Sequence, residues 1–290
     1  MKGNDNLLSV FDAMWAISPN AYYEYMPLFA NIIANGVQVG EREVDASVNY
    51  LLTEEGEKVS YSENTPPNAI GVVNLIGPMV KYGNWWFWGA DELVAMLQRF
   101  ENDPNISGTI LNIDSGGGSV KAVPVFESFF KKKKKPVVSI ADTSASAALW
   151  VQSYTDYKMA ANNISAQFGS VGVMAHFMTY QKYLKDLGIT EHTIYSNYSE
   201  DKNKAFELAM EGKYKLIKEE HLDPLALKFQ DDIKSNLPKL DLNVEGIITG
   251  KMFYADAALE HGFIQEIGNM QRAVEVVKEL AAVHTFMNNN

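Results

Sequence analysis

The chain has 290 residues, a formal net charge of −11 and no cysteine. The missing thiols exclude a cysteine nucleophile, a disulfide framework and a thiolate zinc site, and leave the redox compartment open. The acidic balance argues against general nucleic-acid binding, which draws on basic surface. With 47% apolar residues, a sizeable core needs no metal or disulfide staple. Five histidines (His176, His192, His221, His261 and His284) stand at no mutual ligand spacing, so no metal is expected. The N-terminus shows no basic stretch followed by an apolar core, and no apolar run approaches the ~18 residues of a membrane span. A soluble protein made in the cytoplasm is the expectation.

In chain order, "LLSVFDAMWAISPNAYYEYMPLFANIIANG" reads as two helices, broken at Ser18-Pro19 and ended by Gly36. The segment "EEGEKVSYSENTPPNA" is polar and proline-containing, a linker or loop. Residues 1–66 are thus expected to form a helical extension with linker, and 67–290 the main domain. That domain opens with the strand "AIGVVNLIGPMV", followed by the helix "GADELVAMLQRFENDP" with apolar positions at Leu93, Met96, Leu97 and Phe100. "ISGTILNIDS" is a second buried strand. "VKAVPVFESFF" is a helix that tolerates Pro124 near its start. Lys131 to Lys135 suit the carboxyl end of that helix dipole, and Pro136 stops it. "PVVSIAD" is a third strand, "SAALWVQSYTD" a helix, "YKMAA" and "SVGVM" short strands. "HFMTYQKYLKDLG" reads as a helix and "EHTIYS" as a strand. Helical stretches follow over residues 203–237, in "ADAALEHG" and in "MQRAVEVVKELAAV". Strands alternating with helices imply βαβ crossovers and a mostly parallel buried sheet.

In such sheets ligands bind at the carboxyl ends of strands. Two ends stand out, "IDSGGGSV" and "IADTSASAAL", on successive strands that can lie side by side. Gly116 to Gly118 permit positive φ and close approach to bare N–H groups. A phosphate loop needs a Gly-Lys-Ser/Thr ending, which is missing. A dinucleotide fingerprint fails because Lys121 stands at its third glycine. An oxyanion hole needs only N–H groups aimed at developing charge. Taken alone, the glycines read better as a plain, tight strand-to-helix turn. Ser146 opens the turn into "AALWVQSY" and, by itself, reads as a helix cap. As a nucleophile it would need a base: a histidine, or a lysine kept neutral by burial. Composition does not choose among the lysines.

The motif array resembles the signal peptide peptidase (protease IV) family, related to Clp-type proteases and crotonases. That family's pattern is a strand ending Asp-Ser-Pro-Gly-Gly, a strand ending in a small-residue nucleophile turn, and a Gly-Ser-Ile-Gly-Val segment. Here "IDSGGGSV", "ADTSASAAL" and "FGSVGVM" follow in that order, and "GKMFYADAALEHGFIQEIG" is similar to the family's closing segment. The resemblance covers about Ala69 to Gly268. It implies an α/β fold of stacked ββα units with a mostly parallel sheet, a Clp-protease/crotonase-like domain behind the helical N-terminal extension. It implies Ser146 as nucleophile, Gly116 and Gly117 as oxyanion donors, and Ser170 as the hydroxyl that positions the base. The family's base lysine falls in "IYSNYSEDKNKAF". Ungapped alignment on Phe206 puts Glu200 at its position, so Lys202, on the same face of an extended segment, is the first choice and Lys204 the second. Gly116 replaces the usual proline, and Ala147-Ala148 replace common glycines.

The resemblance therefore implies a serine endopeptidase with a Ser–Lys dyad, acting on protein or peptide substrate without a cofactor. It also implies a homo-oligomer with contacts near the helical stretch after Phe206. Soluble members include phage head-maturation proteases, which trim capsid and scaffold proteins, so a phage or prophage role in host cytoplasm or prohead is expected. A cytosolic signal-peptide-peptidase-like enzyme, a crotonase-like acyl-CoA enzyme and a non-catalytic relative are the alternatives.

Overall fold

The computed structural model describes residues 14–17 and 49–288, apart from 63, 84–86, 178, 180 and 191. The strands in chain order are β1 (Met14–Ile17), β2 (Asn49–Leu52), β3 (Lys58–Val59), β4 (Ala69–Ile76), β5 (Ile106–Ser115) and β6 (Gly117–Ser119). They continue with β7 (Val137–Ala145), β8 (Tyr157–Ala160), β9 (Gln167–Gly169), β10 (Met174–Ala175), β11 (Met252–Tyr254) and β12 (Glu266–Ile267). The longer helices are α1 (Ala90–Asn102), α2 (Val123–Phe130), α3 (Ala147–Ser153), α4 (Gln181–Asp186), α5 (Lys204–Met210), α6 (Asp223–Asn236), α7 (Ala255–Glu260) and α8 (Met270–Asn288).

The main sheet has the order β11-β9-β7-β5-β4-β2-β3, with β8 and β12 continuing from the first half of β7. β4, β5, β7, β8 and β9 run parallel, and β2 and β11 add antiparallel strands at either side. This is the mostly parallel α/β sheet expected from the sequence. Its central strands are buried on both faces, so "AIGVVNLI" reads as an apolar run interrupted only at Asn74 rather than an alternation. On one face Val73, Leu111, Ile113 and Ala141 pack with Leu93, Leu97, Phe126, Trp150 and Phe229 from α1, α2, α3 and α6. On the other, Ile70, Val72, Ile110, Val138 and Ile140 pack against Val274 and Val277 of α8. With about 25 cal/mol per Å² of apolar surface buried, such double-faced burial is the main stabilising term.

Several elements differ from the sequence expectation. Met14–Ile17, read as part of a helix, is a strand paired with β6 and β10 in a separate three-stranded sheet. The rest of the two N-terminal helices lies outside the described residues. Residues 49–59, read as extension and linker, supply β2 and β3 to the main sheet. "SVGVM" forms no strand of its own: β9 ends at Gly169 and β10 begins at Met174. The helix read over 176–188 narrows to Gln181–Asp186, and residues 192–196 form no strand.

Candidate active site

The parallel ladder brings the three motif turns together. Ser115 stands opposite Ser144, and Ala145 opposite Gly169, so the turns after β5, β7 and β9 emerge side by side at the carboxyl edge. A bulge at Asp142 lets two residues of β7 face one of β5 just before this edge, since Ile113 pairs with Ala141 and Asp114 with Thr143. Bulges of this kind re-aim the side chains that follow.

Ser146 leaves the sheet at that point. It is fully buried, with φ 57° and ψ −122°, and it caps α3 without any side-chain bond to the helix. Positive φ at a non-glycine residue costs about 1–3 kcal/mol and survives only where neighbours enforce it. Here the Ser146 N–H donates to the Gly169 carbonyl at 2.9 Å, and Trp150 N–H donates to the Ser146 carbonyl at 2.9 Å. A cap formed for helix stability would bond an exposed helix N–H. The Ser146 hydroxyl instead reaches the Gly172 carbonyl, at a loose 3.5 Å. Ser144, two residues earlier, is locked within the ladder between β5 and β9. Ser170 is also buried at positive φ, 55°, and its N–H donates to the Lys251 carbonyl at 3.0 Å.

The glycine turn is tied down by its own serine. The Ser115 hydroxyl donates to the Gly77 carbonyl at 2.6 Å and accepts the Gly117 N–H at 3.2 Å. Gly117 has φ 95°, which favours glycine. A Cβ on Gly118 would run into the Met79 backbone, which pairs with this turn through Met79 N–H to Gly117 O and Ser119 N–H to Met79 O. Gly116 and Gly117 are both buried beside the Ser146 turn.

Sequence reasoning did not find what anchors α3, the helix that Ser146 opens. Every residue of α3 is buried. Trp150 stacks on Phe229 of α6, centroids 4.3 Å apart and planes 5° from parallel. Its indole N–H and the Tyr154 hydroxyl both donate to Asp232 Oδ2, at 2.9 and 2.8 Å, and Lys228 closes the cluster at 2.6 Å. Burial alone would raise the Asp232 carboxyl, but donors from Lys228, Tyr154 and Trp150 hold it below the usual range. Burial, reinforced by Asp232, pushes the Tyr154 phenol far up. Trp150 and Asp232 lie 82 residues apart, and a single sequence gives no sign that they meet.

The lysines divide differently. Lys202 is exposed on the turn over 199–203, and its ammonium bonds neither Ser146 nor Ser170 within the chain. Lys204 is paired with Asp201 at 2.9 Å, and that carboxylate holds its ammonium above the ordinary range. Lys158 has the burial a neutral base requires: its pKa is pushed down to about 8 by desolvation, opposed by Asp156 and assisted by Lys133. But Lys158 stands opposite Ser139 on β7. Seven residues of strand, roughly 23 Å, separate that level from Ser146. It donates to the Thr155 carbonyl at 2.6 Å and has no path to the site.

The family model described as peptidase family S49 matches residues 128–284, more than half of the chain. The chain belongs to this peptidase family. Ser146, Ser170 and Lys202 fall inside the matched region, and Gly116 and Gly117 before it. Protease 4 of Haemophilus influenzae is 24% identical over 221 residues, covering 74% of this chain and 35% of that protein. The head-tail preconnector protein GP5 of Enterobacteria phage P21 is 26% identical over 195 residues, 65% of this chain and 38% of GP5. A putative signal peptide peptidase of Enterococcus faecium is 23% identical over 194 residues, 64% of this chain and 54% of that protein. The chain thus spans about a third to a half of these three relatives, which include both cellular and phage proteins. No helix among the described residues is long and apolar enough to cross a membrane.

Proposed function

We propose that the protein is a serine endopeptidase with Ser146 as nucleophile and a lysine as base. The observation that carries this reading is Ser146 itself: a buried serine at strained positive φ, beside a glycine turn, with its hydroxyl unused for capping. In the proposed reaction Ser146 Oγ attacks the scissile carbonyl while an unprotonated lysine takes its proton. The oxyanion is held by N–H groups around Gly116 and Gly117; the 3.2 Å bond from Gly117 to Ser115 is long enough to be exchanged. The lysine returns its proton to the leaving amine. It then deprotonates a water that resolves the acyl-enzyme, regenerating Ser146 and releasing a carboxylic acid.

Lys202 is the proposed base, held in place by Ser170, and it reaches the site from a neighbouring copy of the chain. Support comes from the surface around it. α4 has no buried residue, and Ile194 and Tyr198 are 92% and 98% exposed on the segment leading to Lys202. Apolar side chains so exposed are what a homo-oligomeric contact would cover. Lys204 is the weaker choice because Asp201 keeps it charged. The proposed setting is phage or prophage head maturation, in the host cytoplasm or prohead, with capsid or scaffold proteins as substrates. The likeness to GP5 supports it, while Protease 4 and the signal peptide peptidase support a cellular role. The test is reaction with a fluorophosphonate probe followed by mapping of the modified residue. Labelling at Ser146, lost in Ser146→Ala, is expected; labelling elsewhere, or none in the assembled protein, overturns the assignment.

A further inference from the structure

The three-stranded sheet beside the site contains a segment from far away in the chain. β1 lies between β6 and β10 and is antiparallel to both. Its register is Trp15 opposite Ser119, Ala16 opposite Gly118 and Ile17 opposite Gly117 on one side, with Met14 opposite Ala175 and Trp15 opposite Met174 on the other. Both flanking strands are continuations of the site. β6 begins directly after Gly116, and β10 follows the turn that carries Ser170 and the Gly172 carbonyl facing Ser146. The far edge of β6 is already closed by Met79, so the edge facing β1 is the one open to an added strand.

We infer that Met14–Ile17 is a tethered occupant of the substrate cleft, seated by β-strand addition and blocking access to Ser146. This rests on the peptidase reading of that serine. Three features of the slot carry it. β6 and β10 have only three and two residues, too short to form a sheet with each other, and an inserted strand satisfies the backbone groups of both. The polarity is that of an acyl-side peptide: β1 runs with its carboxyl end towards Gly117, next to Gly116 and the Ser146 turn. Any extended peptide taking this slot would pair with the same backbone groups, so it and β1 exclude each other. Within a single chain Lys202 does not reach Ser146, so before assembly the resident strand blocks without being cut.

The test uses the full-length protein with Ala16→Pro, which removes a backbone donor from the middle of β1, and Ala16→Ser, which keeps it. Amide hydrogen exchange is read at 117–119 and 174–175, and fluorophosphonate labelling is timed in parallel. Ala16→Pro is expected to speed exchange at those amides and to raise the labelling rate about tenfold, the equivalent of 1.4 kcal/mol. Ala16→Ser is expected to match the wild type. A synthetic peptide of residues 12–18 added to Ala16→Pro is expected to restore protection and slow labelling again. Unchanged exchange in Ala16→Pro, or no protection by the peptide, overturns the docking. Protection in the wild type that fades on dilution assigns the strand to another copy and overturns the tether. Faster exchange with an unchanged labelling rate overturns the block. If no variant is labelled while exchange and peptide protection behave as expected, the docked strand stands and the nucleophile assignment is what fails.

Discussion

The turn that holds Ser146 and the segment that holds Lys202 follow opposite rules. Around Ser146 every group is fixed from several directions: a parallel ladder on each side, a bond from its N–H to Gly169, and a helix buried along its whole length. Between residues 181 and 204 there is one helix with no buried residue, and apolar side chains face outward. Position at the first site is a property of the single chain. Position at the second requires something to dock against. If the proposed dyad is split in this way, its nucleophile exists in every folded chain and its base only in an assembly. Catalysis would then be conditional on association, since a misplaced base forfeits most of the benefit of proximity.

The hardest blow to this comparison is removal of the fixed half. Ser146→Ala is expected to lower peptide cleavage by about 10⁴-fold or more, because nucleophile and base act as a unit. Stability should be kept or slightly raised, since alanine gives up only a loose 3.5 Å bond. Ser144→Ala should retain activity. Its hydroxyl is buried with no hydrogen-bond partner among the described residues, on a strand paired along both edges. Rates and melting temperatures of the two variants decide the matter, and a dead Ser144→Ala with an active Ser146→Ala would reverse the assignment.

The exposed half is tested by complementation. Lys202→Met should be as inactive as Ser146→Ala, with an unchanged melting temperature because the side chain lies on an exposed turn. Mixed under assembling conditions, the two dead variants should regain activity, each chain supplying what the other lacks. Activity that stays at background in mixed oligomers verified by mass would confine any dyad to one chain. Lys204→Met is expected to keep activity, because its partner is Asp201.

The same division separates what the sequence discloses from what it conceals. β5 is legible as "ISGTILNIDS" because Ile106, Ile110, Leu111 and Ile113 fill both buried faces of the strand, whatever its neighbours are. The turns carrying Gly116, Gly117, Ser146 and Ser170 are legible by their small residues. The alternation in "EHTIYS" suits a strand equally, yet residues 192–196 stay irregular. "AMWAI" continues an apolar spacing that fits a helix. Pairing with β6 and β10, two strands too short to be seen themselves, overrides that local preference. Long-range pairings, including Trp150 with Asp232, leave no trace in one chain's local pattern.

Rigidity at the fixed half can be loosened without touching the chemistry. Asp232→Ala would leave the Trp150 indole N–H and the Tyr154 hydroxyl without their shared acceptor. The buried indole N–H keeps its 3.1 Å bond to the Tyr154 hydroxyl, so the loss falls mainly on that half-buried hydroxyl, and about 1–2 kcal/mol is expected. A lower denaturation midpoint with an unchanged m-value is the expected result. Asp232→Asn keeps an acceptor and should recover part of the loss. If the midpoint does not move in Asp232→Ala, the cluster does not anchor α3.

The smallest effect concerns Lys158, which has the burial that a base needs at the wrong end of the sheet. Desolvation lowers its pKa from 10.5 to about 8, with Asp156 raising it and Lys133 lowering it further. Below pH 8 the lysine is protonated in both folded and unfolded chains, and its contribution does not vary with pH. Between about 8 and 10 the unfolded chain holds the proton and the folded chain releases it, so stability should rise with pH across that window. The full displacement corresponds to at most about 3 kcal/mol. Above pH 10 the elevated phenols of Tyr154 and Tyr157 work in the opposite direction, because their unfolded forms ionise first. Lys158→Met should therefore flatten the stability profile between pH 8 and 10. Losing the bond to the Thr155 carbonyl costs about 1–3 kcal/mol, which lowers the whole profile rather than its slope. Cleavage by Lys158→Met should match the wild type at every pH where both are folded. A Lys158→Met protein that is folded yet inactive would mean that burial, not proximity to Ser146, marks the base, and the contrast between a fixed nucleophile and a delivered lysine would fall.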